Sequence, residues 1–82
     1  MNMKMYSIKD RLNGYTTPIP FASEEVAKRY FKDQVLGNPT ITNTKEDFEL
    51  HYMGEFDTES GYYATPENGT ILVEKAVNYE RS

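Results

Sequence analysis

The segment at residues 23–39 carries the strongest local pattern in the sequence, and it limits what the rest of the chain can form. Ser23 is a typical N-cap because its hydroxyl can accept a hydrogen bond from a free backbone N–H at the start of a helix. Apolar residues then recur with the spacing of one wide helix face: Val26, Ala27, Tyr30, Phe31 and Val35. Gly37 commonly follows a helix, and Pro39 cannot continue one. The pattern predicts one amphipathic helix that ends near Leu36.

Two longer segments alternate between polar and apolar residues, which is the pattern of a β-strand. Residues 3–10 would place Lys4, Tyr6 and Ile8 on one face. In residues 48–56, one face carries Phe48, Leu50, Tyr52 and Phe56, and the other carries Glu49, His51, Met53 and Glu55. Both segments are predicted to be strands, and the second is predicted to have one buried face.

The last third of the chain contains two turn signals. Residues 57–61 have the length of a hairpin connection and end in Gly61, so residues 62–65 are predicted to pair antiparallel with the preceding strand. Residues 70–77 follow a second turn and are predicted to be a strand, with a helix from Leu72 as the alternative.

The remaining segments are predicted to be loops. Residues 13–20 contain Asn13-Gly14 and two prolines, and residues 38–47 are rich in Thr and Asn. The resulting order β-α-β-β-β predicts a two-layer α+β fold, in which one helix packs on a small, mainly antiparallel sheet. We interpret residues 1–82 as one domain, with the helix covering the strand at 48–56.

Residue types exclude several kinds of chemistry. The chain has no cysteine and one histidine, which excludes disulfides, Cys-based zinc sites and thiol nucleophiles. His51 could act as a general base beside Glu49, Glu55 or Asp57, but no nucleophile accompanies it, and the alternation favours a solvated or interface histidine. The acidic residues lack the spacing of a calcium loop, and no Gly-rich phosphate loop is present. We therefore expect no catalytic activity, no metal and no cofactor.

Cellular location and assembly can be estimated from the same features. The N-terminal residues lack the pattern of a secretion signal, and no stretch approaches the roughly 18 apolar residues of a membrane span. We therefore expect a cytosolic protein. The small size and a Tyr-rich sheet with an outward Met53 predict a homodimer through that sheet.

A short basic run on the helix is the first candidate binding surface. Lys28, Arg29 and Lys32 could contact phosphates, and Lys9 and Arg11 could extend the run. The rings of Tyr15, Tyr62 and Tyr63 could stack on bases of single-stranded DNA. The alternative is a solvated helix face in which Glu25 pairs with Arg29. With 9 Lys and Arg against 13 Asp and Glu, the net charge of −4 argues against broad phosphate binding.

An acidic surface is the second candidate. Glu49, Glu55, Asp57 and Glu59 could present carboxylates where a basic protein groove expects phosphates. Such a protein would inhibit a host defence enzyme or a nucleic-acid enzyme. This second hypothesis therefore requires the four carboxylates to face one partner.

Several short segments, taken in order, resemble a known viral family. They are residues 6–10, 20–21, 27–31, 45–50 and 54–61. The set resembles the small nonstructural protein of gokushoviruses, single-stranded DNA phages of the Microviridae, to which DNA binding has been attributed. The resemblance implies a non-enzymatic protein of the infected bacterium that binds single-stranded DNA or the replication or packaging machinery. It differs at Lys45, where the family pattern has Pro, and we expect Gly54 to let the helix approach the sheet.

Overall fold

A six-stranded antiparallel sheet and one long helix dominate the computed structural model, which describes residues 1–80. In chain order, the elements are β1 (Asn2–Asp10), β2 (Gly14–Tyr15), β3 (Ile19–Phe21), α1 (Glu24–Gly37), α2 (Pro39–Thr42), β4 (Phe48–Asp57), β5 (Tyr63–Ala64) and β6 (Ile71–Lys75). Two 3-10 turns, Lys45–Asp47 and Ala76–Asn78, precede β4 and follow β6. The predicted two-layer α+β fold is confirmed.

Strands β1 and β4 form the centre of the sheet. They pair antiparallel over their whole lengths, with Tyr6 opposite Tyr52 and Ile8 opposite Leu50. The short strands β2 and β3 pair with the other side of β1, and β5 and β6 pair with the other side of β4. The predicted hairpin between β4 and β5 is confirmed, because Phe56 lies opposite Tyr63.

Helix α1 covers one face of this sheet. Ser23 caps it as predicted, since its hydroxyl accepts a hydrogen bond from the backbone N–H of Val26 at 3.3 Å. Ala27, Phe31 and Val35 are fully buried against Tyr6, Ile8, Phe48 and Leu50. Val26 was predicted to join this stripe but is 41% exposed, because it lies about 100° around the helix axis from Ala27, on the side away from Phe31 and Val35. The helix extends through Gly37, and Asn38 is its C-cap.

Both predicted loops contain short regular elements. Residues 13–20 include β2 and the start of β3, and Pro20 is tolerated in β3 because that strand lies at the sheet edge. Residues 38–47 include α2, where Pro39 occupies the first turn and the side chain of Asn38 accepts from the N–H of Thr40 at 3.1 Å. Ile41 of α2 is 5% exposed and completes the core. The loop predictions for these segments are therefore wrong in part.

The C-terminal segment is a strand followed by a turn into the core. β6 pairs with β4, so the strand prediction is confirmed and the alternative helix from Leu72 is wrong. Ala76 is fully buried, and the ring of Tyr79 lies 5.9 Å from that of Phe31. No helix within residues 1–80 is long and apolar enough to cross a membrane.

Gly54 permits a close approach by a different element from the one predicted. Its φ is +137°, and an added Cβ would overlap the carbonyl oxygen of Ala64. The close approach is therefore made by β5 and not by α1. Gly61, with a φ of +78°, turns the hairpin as predicted.

Candidate functional site

The candidate functional site lies on the face of the sheet opposite α1. Tyr6 and Ile8 point to α1, so Ser7 and Lys9, which alternate with them along β1, point to the other face. The register then brings together Ser7, Lys9, Tyr15, Glu49, His51, Leu72 and Lys75, which we call the open face. In one row across four strands, Tyr15 lies beside Lys9, Lys9 beside Glu49, and Glu49 beside Lys75.

A hydrogen-bonded chain centred on His51 runs across the open face. The imidazole Nε2 lies 3.0 Å from Oε1 of Glu49, and Nδ1 lies 2.9 Å from Oγ1 of Thr70. The Oγ1 of Thr70 is also 3.1 Å from the hydroxyl of Tyr15. Because an ionised carboxylate only accepts, Nε2–H donates to Glu49 and Nδ1 accepts from Thr70 in the neutral imidazole. Tyr15 then donates to Thr70.

These hydrogen bonds accompany the burial of His51, for which the sequence favoured a solvated or interface position. Its side chain does lie on the face away from the helix, as the alternation predicted, but His51 is only 7% exposed. Tyr15 covers it edge-on, with ring centroids 5.4 Å apart and an interplanar angle of 89°. The covering residues come from β2 and from the turn before β6.

Tyr15 is the exposed aromatic ring of this site. It remains 44% exposed although its hydroxyl and one ring edge are held in place. The Nζ of Lys9 lies 5.6 Å from the ring centroid, within range of a cation–π contact. The ring is therefore fixed in orientation and carries a cation beside it.

The electrostatics of the open face differ from those of the whole chain. The hydrogen bond from His51 holds the pKa of Glu49 below its ordinary value, and the charges of Lys9 and Lys75 act in the same direction. Two lysines therefore flank one carboxylate in this row. Within this row of four residues, two cations outnumber one carboxylate, whereas the chain as a whole has a net charge of −4. Glu46, outside the row, lines a surface pocket with each of the two lysines.

The predicted basic run on α1 is present but is balanced by acids. Lys28, Arg29 and Lys32 share the exposed surface of the helix with Glu24, Glu25 and Asp33. Lys28 pairs with Glu24 at 3.8 Å, which differs from the predicted pairing of Glu25 with Arg29. Arg11 does not join the run, because its Nε bonds the carboxylate of Asp47 at 2.8 Å. Lys9 lies on the open face.

The two predicted stacking tyrosines are separated from the basic run. α1 packs against β1, β3 and the last 3-10 turn, whereas Tyr62 and Tyr63 belong to the β4–β5 hairpin. Tyr63 shares a register row with Phe56 and Met3, and the alternation along β1 places this row on the open face. The prediction that Phe56 shares the buried face of β4 is therefore wrong, because an extra residue at Met53 shifts the register and changes the alternation after it. Tyr63 is thus at the opposite end of that face from Tyr15, roughly 20 Å away along β1.

The four predicted acidic residues do not form one surface. Glu49 bonds His51, and about 20 Å of strand separates it from Glu55, which accepts from Asn2 at 3.4 Å. Asp57 accepts from the N–H of Glu59 and the hydroxyl of Ser60, and these bonds lower its pKa. Glu59 is exposed on the hairpin. Within residues 1–80, no cluster of three His, Asp or Glu residues could hold a metal.

Comparison with known proteins identifies a viral family. The family model described as Phage ORF5 protein matches residues 3–79. Protein ORF5 of Chlamydia phage 1 is 33% identical over 79 residues, which cover 89% of this chain and 82% of that relative. No solved structure matches the chain.

Proposed function

This chain belongs to the Phage ORF5 protein family of small phage proteins, and from that premise we propose that it binds single-stranded DNA through the open face. The resemblance to gokushovirus proteins is confirmed by the same relatives. We propose further that the protein acts without catalysis, in genome synthesis or packaging, in the cytoplasm of the infected host.

The row of Tyr15, Lys9, Glu49 and Lys75 is the observation that carries this proposal. Proteins that bind single strands without sequence readout combine a positive groove for the backbone with aromatic rings on which bases stack. Lys9 and Lys75 supply cations on either side of Glu49, and Tyr15 supplies an exposed ring at the end of the row. A single carboxylate, that of Glu49, lies between the lysines, and its charge is engaged by His51.

The α1 surface supports the proposal less well. Its three cations lie among three acidic residues of the same helix, and Lys28 is already paired with Glu24. Neither aromatic ring of α1 is as exposed as Tyr15, because Phe31 is buried in the core and Tyr30 is partly buried against it. Phosphate contacts from Lys28, Arg29 and Lys32 are therefore the alternative against which the open face should be tested.

Fluorescence anisotropy of a labelled single strand, measured at several salt concentrations, separates the two surfaces. We expect salt-sensitive binding by the natural sequence and a large loss for Lys9→Glu with Lys75→Glu. Each lysine removed from a phosphate should reduce the log–log salt slope by about 0.7. The matched control is Lys28→Glu with Lys32→Glu, which changes the net charge equally but leaves the open face intact.

The outcomes of this assay are distinct. If the α1 variant loses binding and the open-face variant keeps it, the phosphates lie on the helix. If the natural sequence does not bind at low salt, the DNA proposal fails. A protein of the replication or packaging machinery would then be the remaining partner, which a pull-down from infected cells would test.

A further inference from the structure

Strand β6 has one side paired with β4 and one side open. No strand within residues 1–80 pairs with its outer side. Ile71 is 52% exposed and Leu72 is 45% exposed, so two large apolar side chains stand at this edge. An edge strand presents unpaired backbone N–H and C=O groups, which can pair with another extended segment.

The described residues that follow β6, at positions 76–80, turn away from this edge. Ala76 is fully buried, and Tyr79 packs on Phe31 beneath the helix. The Nζ of Lys45 donates to the carbonyl oxygen of Tyr79 at 2.8 Å, which holds the chain in that direction. The chain therefore leaves β6 toward the core.

The opposite edge of the sheet is chemically different. It is formed by the two-residue β2 and the three-residue β3, and Pro20 stands in the middle of β3. Because proline has no backbone N–H, it blocks continuous pairing with a further strand. A head-to-tail array, in which β6 of one copy pairs with β3 of the next, is therefore disfavoured.

We propose that β6 pairs antiparallel with β6 of a second copy about a twofold axis, which forms a closed dimer. Identical open edges meet only in such an arrangement, and twofold pairing leaves neither of them free. An axis near Val73 separates the two Lys75 residues by about four residues, or roughly 13 Å, which exceeds the screening length of about 8 Å at physiological salt. The two Glu74 residues are only about two residues, or roughly 7 Å, apart along the strands, so we expect added salt to strengthen the dimer. Val73 forms a β-bulge in β6 opposite β4, and a twofold axis near Val73 gives the strand the same bend in both copies.

The dimer has a geometric consequence for the molecule. A twofold axis perpendicular to the sheet keeps both α1 helices on one side and both open faces on the other. The two sheets then continue into each other across β6. This assembly does not depend on DNA binding, so its test contains no nucleic acid.

Sedimentation equilibrium of the whole chain at several concentrations tests the proposal. We expect the mass to rise with concentration from 9.5 kDa to twice that value. Ile71→Lys with Leu72→Lys should remain at the mass of one chain throughout. The control Leu12→Lys, which adds one lysine at a residue 72% exposed in a turn away from β6, should dimerise like the natural sequence.

Amide hydrogen exchange of the unaltered chain provides a measurement that does not depend on the variants folding. We expect the protection of amides in residues 71–75 to increase as the dimer forms. A mass of one chain at every concentration would overturn the proposal. A dimer whose β6 amides stay equally protected, or which persists in a folded Ile71→Lys, Leu72→Lys variant, would overturn the assignment of its interface.

Discussion

The Nδ1 of His51 lies 2.9 Å from the Oγ1 of Thr70, and this contact joins the middle of β4 to the turn before β6. The same threonine oxygen meets the hydroxyl of Tyr15, so β2 is tied to the same point. The open face is therefore held together by one threonine that lies outside every strand.

Thr70→Val should destabilise the protein although it preserves side-chain shape. It removes the partner of a buried imidazole nitrogen, and an unsatisfied buried group costs about 1–3 kcal/mol. Chemical denaturation should show this loss in the free energy of unfolding. The same change at the exposed Thr17 should stay within about 0.5 kcal/mol, and an equal loss there would contradict the role of the His51 contact.

Gly54→Ala should destabilise the pairing of β4 with β5. The φ of +137° strains any L side chain, and the added Cβ would meet the carbonyl oxygen of Ala64. We expect a loss of about 2–4 kcal/mol in the free energy of unfolding. Gly37→Ala is the matched control, because nothing lies within 4 Å of the added Cβ there, and it should be neutral or slightly stabilising.

The acid dependence of stability should report on Glu49. The hydrogen bond from His51 lowers the pKa of this carboxyl in the folded state. The ionised carboxylate therefore stabilises the folded protein above pH 4.5, the ordinary pKa of the group. That contribution is lost as the pH falls through the lowered pKa. Between about pH 5 and pH 3, Glu49→Gln should therefore lose less unfolding free energy than the natural sequence. Glu67→Gln, at an exposed turn, should follow the natural profile.

The alkaline dependence should report on Tyr6. Burial raises the pKa of its phenol to about 12, so the folded state holds the proton more tightly than the unfolded chain does. The contribution is complete below the ordinary value of 10.0 and is lost as the pH rises toward the folded pKa. Tyr6→Phe should therefore flatten the fall of unfolding free energy over this range. A profile as steep as that of the natural chain would contradict the assignment.

Two substitutions at Tyr15 should separate stacking from hydrogen bonding. Tyr15→Leu removes the ring and should weaken binding to single-stranded DNA by about 5- to 150-fold, corresponding to about 1–3 kcal/mol per stacked base. Tyr15→Phe keeps the ring and loses only the bond to Thr70, so most of the affinity should remain. Equal losses for both variants in the anisotropy assay would contradict a stacking role.

The elements that were predicted correctly are those with local causes. The cap at Ser23 and the periodic apolar residues define α1 without reference to any other part of the chain. Alternation likewise identifies β1 and β4 and places His51 on the face away from the helix. By contrast, β2 and β3 have few residues of their own and exist because β1 supplies their hydrogen-bond partners.

The organisation of the open face depends on pairing between distant residues. Burial of His51 depends on Tyr15 and Thr70, and the sequence gives no periodic signal that brings these residues to it. The row of Tyr15, Lys9, Glu49 and Lys75 depends on the register of four strands. The clustered charges on α1 can be recognised in the sequence because they are neighbours in the chain, whereas Lys75 cannot, because its partner Glu49 is distant in sequence.

Amide NMR of the labelled protein, titrated with a short single-stranded oligonucleotide at low ionic strength, would locate the DNA-binding surface residue by residue. If DNA binds the open face, the largest chemical-shift changes will fall on Lys9, Tyr15, Leu72 and Lys75 and will decrease as salt is added. Changes centred on Lys28, Arg29 and Lys32, or no changes at low salt, would contradict DNA binding at the open face.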